Sequence, residues 1–322
     1  MKKTNSQFAQ TGWDLSDVIA APDGNPLQQL TAELEATVTE ISAMRPKLIQ
    51  DISASDFNLA LELSKKLTAA SSRLGAYASL WFSEDTQNQA ALTFQGKIEQ
   101  ITTEALNRAL FLSLWWKTLA DGPADILIAS APAELRYYLK QQRKARPHVL
   151  AERDEQIINI KDMNGSNALT TIYSMLTNNY KFKLHVDGKD QLLTRDALMT
   201  YVRKPDAAIR AQAYKELYRV YADDGLVLAQ VYTHLVRDWH EEQVKLRRYT
   251  HPIEVRNLRN DITNKVTETL LQVCRENAPV FQRWLRAKAG LLEMNKLRRY
   301  DIYAPLSTAE QKYPYAEAVA LV

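Results

Sequence analysis

The stretch RDWHEEQVKLRRY (237–249) carries residue types suited to metal-assisted hydrolysis: His240 is followed directly by Glu241. Two imidazoles at i and i+4 on one helix face can hold a zinc ion, and a glutamate between them can take the proton of the metal-bound water. Four residues after His240 stands Val244, which has no ligand atom. The five histidines, His148, His185, His234, His240 and His251, are separated by 37, 49, 6 and 11 residues, so no pair has the required spacing. His240 and His251 would share a helix face but lie about 16 Å apart at the rise of an α-helix, and Pro252 is expected to end the helix there. His234, Asp238 and Glu242 form an i+4 ladder that could bind a metal weakly, but such a ladder is more commonly a solvated helix face. The sequence therefore predicts no catalytic residue and no metal ligand in this chain, and leaves its substrate-binding residues unassigned.

Other chemistries find no better footing. The chain contains no Gly-x-Ser-x-Gly, no Walker loop and no Gly-x-Gly-x-x-Gly. Its single cysteine, Cys274, excludes an internal disulfide and has no local activating partner. The VCREN setting predicts a helical, at least partly buried thiol, in keeping with a reducing compartment. The tyrosines of YKELYRVYADD (214–224) could line a groove, but their helical spacing favours the core.

Composition sets the class. The 322 residues are 46% hydrophobic and 25% charged, an ordinary globular balance, with only 9 Gly and 11 Pro. The net charge of +3 divides unevenly: residues 1–130 carry −5 and residues 131–322 carry +8. The basic residues are interleaved with acids and apolar residues at helical spacing, as on a solvated helix surface, and no nucleic-acid recognition module accompanies them. No nucleic-acid partner is expected. MKKTNSQFAQ has no apolar segment behind its lysines, and ALFLSLWW (109–116) is too short to span a bilayer. The expectation is a soluble, cytoplasmic protein with no membrane partner.

Helices must position whatever chemistry there is. Leu30, Leu34, Ile41, Met44 and Leu48 step as a core-facing stripe, closed near Pro46. A second helix is expected from an N-cap at Ser55, and a third over 86–119, making an antiparallel bundle. Asp121-Gly122-Pro123 reads as a break, with the next helix starting at Pro132. Further helices are expected over 152–161 and 166–178. YKFKLHV (180–186) alternates with period two ahead of Asp187-Gly188, which predicts a β-hairpin near 180–193. Helices resume after Thr194 as N-cap, run over 206–247 with a break at 223–225, then over 264–277, and restart at Pro279. Ser307 and Glu310 suggest a capping box, and YAEAVALV opens an apolar helix at which the chain stops as if cut.

The order of segments carries more than any motif. TGWDLSDV (11–18), LRYYLKQQRKARPHVLAERDEQII (135–158), HVDGKDQLLTRDAL (185–198), KPDAAIRAQAYKELYRVY (204–221), LRRYTHPIEVRNLRNDI (246–262) and RYDIYAPL (299–306) occur in this order. Colinearly, they resemble the N-terminal half of the oligoendopeptidase F family, zinc metallopeptidases related to thimet oligopeptidase. The resemblance implies a mainly α fold: a helical bundle over 1–120, a helical segment with the hairpin over 121–203, and an incomplete start of the peptidase domain over 204–322. In that family the His-Glu-x-x-His helix and the third zinc ligand, a Glu, follow the segment matched here by 299–306, so none of the family's catalytic residues has a counterpart in this chain. The implied function is the N-terminal portion of a zinc-dependent peptidase of short peptides, shaping the substrate channel. Zinc would belong to the full-length protein and not to this chain. Self-association, or a second chain supplying the missing half, is expected. The alternative is a non-catalytic helical binding or scaffold protein derived from a peptidase.

Overall fold

The computed structural model describes residues 12–21, 24–307 and 313–321, with the backbone alone for Ala316. It is mainly helical with one two-stranded antiparallel sheet among the described residues, the fold class expected from the sequence. The N-terminal lysines, Thr11 and Glu310 of the expected capping box lie outside the described residues. The chain folds as two compact units, one of residues 14–175 with 228–270, the other built on 176–227 and the described part of 271–322.

The first unit begins with three long helices, α1 (Asn25–Met44), α2 (Ala54–Glu84) and α3 (Gln89–Thr118). Leu34, Val38 and Ile41 of α1 pack with Leu63 and Leu74 of α2 and Ile98 and Ala105 of α3 in one buried cluster. The apolar stripe read from the sequence is thus the core of the bundle, at about 1.5–3 kcal/mol for each large side chain removed from water. Pro46 lies in a 3-10 turn (Arg45–Lys47) that closes α1, as expected. The N-cap of α2 is Ser53 rather than Ser55: its Oγ accepts from the Asp56 amide and donates to the Asp56 carboxylate. Ser53 stands three residues before that acid and so captures an N-terminal amide that Ser55, already inside the first turn, cannot.

Asp121-Gly122-Pro123 is not a break but the first turn of α4 (Asp121–Ser130). A proline in a first turn removes an amide that has no helical partner in any case. The chain turns at Leu119-Ala120 instead, and α5 (Ala133–Arg143) follows with Pro132 as its N-cap. A second cluster, with Phe57, Trp116, Leu127, Ile128 and Leu139, seals α4 and α5 onto the bundle. The helices α6 (Glu152–Asn164) and α7 (Ser166–Asn178) match the sequence reading. Asn107 of α3, buried, is satisfied by Gln156 and Asn159 of α6.

In the other unit, β1 (Phe182–Val186) pairs with β2 (Lys189–Leu193) around Asp187-Gly188. Both turn residues have positive φ, 52° and 74°, which suits a two-residue hairpin turn. Phe182 and Leu184 point into a core completed by α8 (Arg195–Tyr201), capped by Thr194, and α9 (Ala207–Asp223).

The helix α10 (Gly225–His240) runs into a wider, π-helical turn over Glu241–Leu246, and the helix is over by Arg248, whose φ is 61°. Pro252 therefore does not end that helix but opens α11 (Pro252–Arg259) at its first position. The helix α12 (Asn264–Leu291) is continuous through Pro279, where a restart was expected. Pro279 and Arg275, whose carbonyl loses its partner, are both exposed, so water can replace the missing bond. Cys274 on α12 is helical but exposed, contrary to the partly buried thiol expected, because α12 leaves most of its circumference uncovered. Its apolar residues Val266, Leu270, Val273, Phe281 and Trp284 are all exposed, Phe281 to 66%. A last helix, α13, covers Tyr315–Leu321.

Candidate functional site

His240 and Glu241 sit on the solvent face where α10 gives way to the π-helical turn. Glu241 pairs with Lys245 at 2.7 Å, while His240 Nδ1 stands 3.8 Å from the Glu241 carboxylate. The wider turn also takes the stretch out of the i+4 register that a zinc helix needs. In the His234, Asp238, Glu242 ladder, Glu242 accepts from Arg247 at 2.6 Å and from Gln243 at 2.8 Å. Among the described residues, no group of three or more His, Cys, Asp and Glu side chains could hold a metal ion.

What the structure builds instead is two polar constellations that the sequence did not single out. The first centres on Arg247, in the unit holding the bundle. Its guanidinium grips both oxygens of Glu155 at 2.8 and 2.7 Å and reaches Glu242. Burial opposes its charge, yet the bonds from Glu155 and Glu242 raise its affinity for the proton. Burial likewise pushes the Glu155 carboxyl up, but the Arg247 bonds and the Leu150 amide outweigh it and hold the group below its ordinary value. His148 Nδ1 donates to the Arg247 carbonyl at 2.8 Å, and its ring stacks on Tyr249 with centroids 3.6 Å apart. These groups line a cavity of about 510 Å³ together with Lys117, whose ammonium burial depresses. The segment around 146–155 and the segment around 247–249, remote in sequence, are the two that meet here.

The second lies in the other unit, where 204–221 meets 299–306. Arg210 of α9 donates to Asp301 at 2.8 Å, and their side chains are 2% and 0% exposed. Arg210 also donates to the Lys204 and Pro205 carbonyls. Arg298 closes over the other oxygen of Asp301 at 2.8 Å. Burial pushes the Asp301 carboxyl up, but the bonds from Arg298 and Arg210 prevail and keep it below its ordinary value. The backbone carbonyl of Ile302 accepts from buried Lys288 at 2.8 Å. These anchors press the 299–303 turn against α9 and bring Tyr300 to Tyr214, ring centroids 5.2 Å apart, with Tyr218 a further 4.7 Å along.

Between α8, α9 and that turn opens a cavity of about 650 Å³. Its floor is Val202, Met199, Leu217 and the Tyr214 and Tyr300 rings, and Arg195, Arg203 and Arg299 stand at its edge. The expectation of tyrosines in the core fails at Tyr218, which is 57% exposed, and holds at Tyr221, which packs on Phe182 and Tyr180. Tyr214 and Tyr218 are i, i+4 neighbours on a different face of α9 from buried Ala213 and Val220, and only the arrival of 299–303 makes that face a wall. Chemically the cavity offers cations, phenols and apolar surface, which suits binding an anion-bearing organic molecule. The sequence did carry a signal for Arg210: an arginine between alanines in AAIRAQA, on the side of buried Ala213.

Comparison with known proteins covers nearly the whole chain. The profile of the family described as Oligopeptidase F matches residues 117–182. Oligopeptidase PepF of Bacillus subtilis is 23% identical over 319 residues, covering 96% of this chain and 46% of the relative. Group B oligopeptidase PepB of Streptococcus agalactiae is 21% identical, covering 80% of this chain and 43% of its own length. The crystal structure of oligoendopeptidase-F from Enterococcus faecium superposes with a TM-score of 0.77 at 22% identity, over 87% of this chain and 56% of that one. The chain thus spans under half the length of these curated relatives. The family profile, the relatives along nearly the whole chain and the shared fold agree in making this chain similar to the oligoendopeptidase F family.

Proposed function

We propose that this chain is the N-terminal portion of a zinc-dependent oligopeptidase that cleaves internal bonds of short peptides in the cytoplasm. The observation that carries this reading is the alignment with the B. subtilis oligopeptidase: 96% of this chain is matched, but only 46% of the relative. In the whole protein, zinc would polarise the scissile carbonyl and lower the pKa of the attacking water, on ligands outside this chain. The part played by these residues is to shape and line a peptide channel. Residues 1–120 and 121–203 serve as the helical N-terminal part, and 204–322 as the beginning of the peptidase domain. The exposed apolar residues of α12 support this division, since patches of more than a few hundred Å² are uncommon on soluble monomers and mark interaction surfaces. Those faces would be covered by the rest of the enzyme, by a second chain supplying it, or by self-association.

Two measurements test the reading. The native reading frame past Val322 should run into a His-Glu-x-x-His helix, and a stop codon directly after Val322 would refute the reading in favour of a non-catalytic scaffold. The 322-residue chain on its own should hold no stoichiometric zinc and cleave no peptide. One tightly bound zinc, lost in His240→Ala, would show that the metal site had been misplaced.

A further inference from the structure

We infer that the cavity between α8, α9 and the 299–303 turn is a binding subsite for short peptides that bear a carboxylate. The inference rests on the peptide-processing reading above and adds to it the charge of the preferred ligand.

Three guanidinium groups, of Arg195, Arg203 and Arg299, border the cavity, and Asp196 is the one carboxylate among its lining residues. Asp196 stands 3.7 Å from Arg195 and compensates it in part. Arg299 lies over the Tyr303 ring, 5.6 Å from its centroid, which holds the side chain in place without neutralising it. Arg203 is exposed and has no carboxylate partner among the described residues. The border is therefore cationic by a net of about two charges, with at least one planar fork free to take a carboxylate through two parallel hydrogen bonds.

The floor defines the rest of the ligand. The Tyr214, Tyr218 and Tyr300 rings, with Leu217 and Met199, present an apolar, aromatic surface beside these cations. An apolar or aromatic side chain can lie on it while a neighbouring carboxylate meets Arg203 and Arg299. A volume of about 650 Å³ is within the range of small-ligand sites and holds a few residues of extended peptide. The buried Arg210–Asp301 pair fixes the turn that bears Arg299 and Tyr300, so the surface is formed before a ligand arrives. Two sources of carboxylate fit equally, an Asp or Glu side chain and a peptide C-terminus.

Calorimetric titration of the 322-residue chain tests this with three tetrapeptides: Ac-Ala-Phe-Ala-Glu-NH2, Ac-Ala-Phe-Ala-Gln-OH and Ac-Ala-Phe-Ala-Gln-NH2. At least one of the two carboxylate-bearing peptides should bind about tenfold or more tighter than the neutral amide, the margin of one good charge-assisted contact. The first of them reports a side-chain source and the second a C-terminal one. Arg203→Gln and Arg299→Gln, separately, should reduce that preference severalfold, and a preference unchanged in both variants would overturn the assignment of the carboxylate to this border. Added salt should narrow it. Equal binding of all three peptides would overturn the carboxylate preference and leave peptide processing standing. No peptide binding at millimolar concentration, or tighter binding of AMP than of any peptide, would overturn the subsite itself. Zinc content and peptide cleavage by the extended protein remain a separate test, so failure here is distinguishable from failure of the peptidase reading.

Discussion

Arg210 and Asp301 are 91 positions apart and fully enclosed, and each depends on the other. Removing one partner of such a pair leaves an uncompensated buried charge, which costs about 3–5 kcal/mol. Asp301→Ala, which leaves the buried Arg210 guanidinium without a carboxylate, should therefore destabilise the unit containing the hairpin by that amount in denaturant titration, and a loss under about 1 kcal/mol would mean the pair is not buried in solution. The pH dependence follows from the depressed Asp301 carboxyl. Its stabilisation is complete above the ordinary value of 3.8 and is lost as pH falls through the lower value of the folded state. Asp301→Asn should flatten the acid limb of the unfolding curve below about pH 4. Asp162 has the opposite sign: burial, then Glu242 and Asp238, push its carboxyl up. Its contribution is present at low pH and disappears as pH rises through the raised value, so Asp162→Asn should stabilise the protein slightly at pH 7, by under about 1 kcal/mol. Unchanged or lowered stability at pH 7 would contradict the repulsion.

At the level of elements, the hairpin turn and α12 make opposite demands on the backbone. Gly188 has φ of 74° with nothing near its missing Cβ, so the cost of Gly188→Ala is conformational alone, about 1 kcal/mol. Pro279 stands inside α12, where proline is about 3 kcal/mol less favourable than alanine. Pro279→Ala should increase amide protection across 275–283 in hydrogen exchange, with little change in the bundle. If α12 were two helices meeting at Pro279, the substitution would leave protection at the junction unchanged. By the same measure α1–α3, with Leu34, Val38, Ile41 and Leu74 enclosed, should exchange far more slowly than α12, whose apolar residues face solvent.

For the whole molecule, the exposed face of α12 predicts concentration-dependent association. Sedimentation of Leu270→Ser with Phe281→Ser should show a weaker association constant than the unaltered chain, because both side chains are more than half exposed and apolar. A chain that is monomeric at all concentrations before substitution would count against an interface there. The +8 balance of residues 131–322 predicts nothing comparable for nucleic acid, because many of its cations are already paired, as Arg219 is with Glu216 and Asp223 and Arg247 with Glu155. A sub-micromolar affinity for duplex DNA that falls steeply with salt would show otherwise.

The sequence by itself determined the elements of this protein: the bundle stripes, the hairpin at Asp187-Gly188 and the cap at Thr194 depend on neighbours within a few residues. The order of six segments also carried the resemblance to the oligoendopeptidase F family. Where local rules failed, a longer-range or solvent effect had overridden them: Pro279 tolerated on an exposed helix face, Cys274 left uncovered, Pro252 opening a helix because the previous one had already unwound. The Arg247 and Arg210 constellations belong to the tertiary structure alone. Each joins residues some 90 positions apart, and no periodicity records which arginine will find which carboxylate. Tyr218 shows the same division, since its helical spacing was legible, but whether that face met the core or walled a cavity was decided by the docking of 299–303, an event that local propensity does not encode.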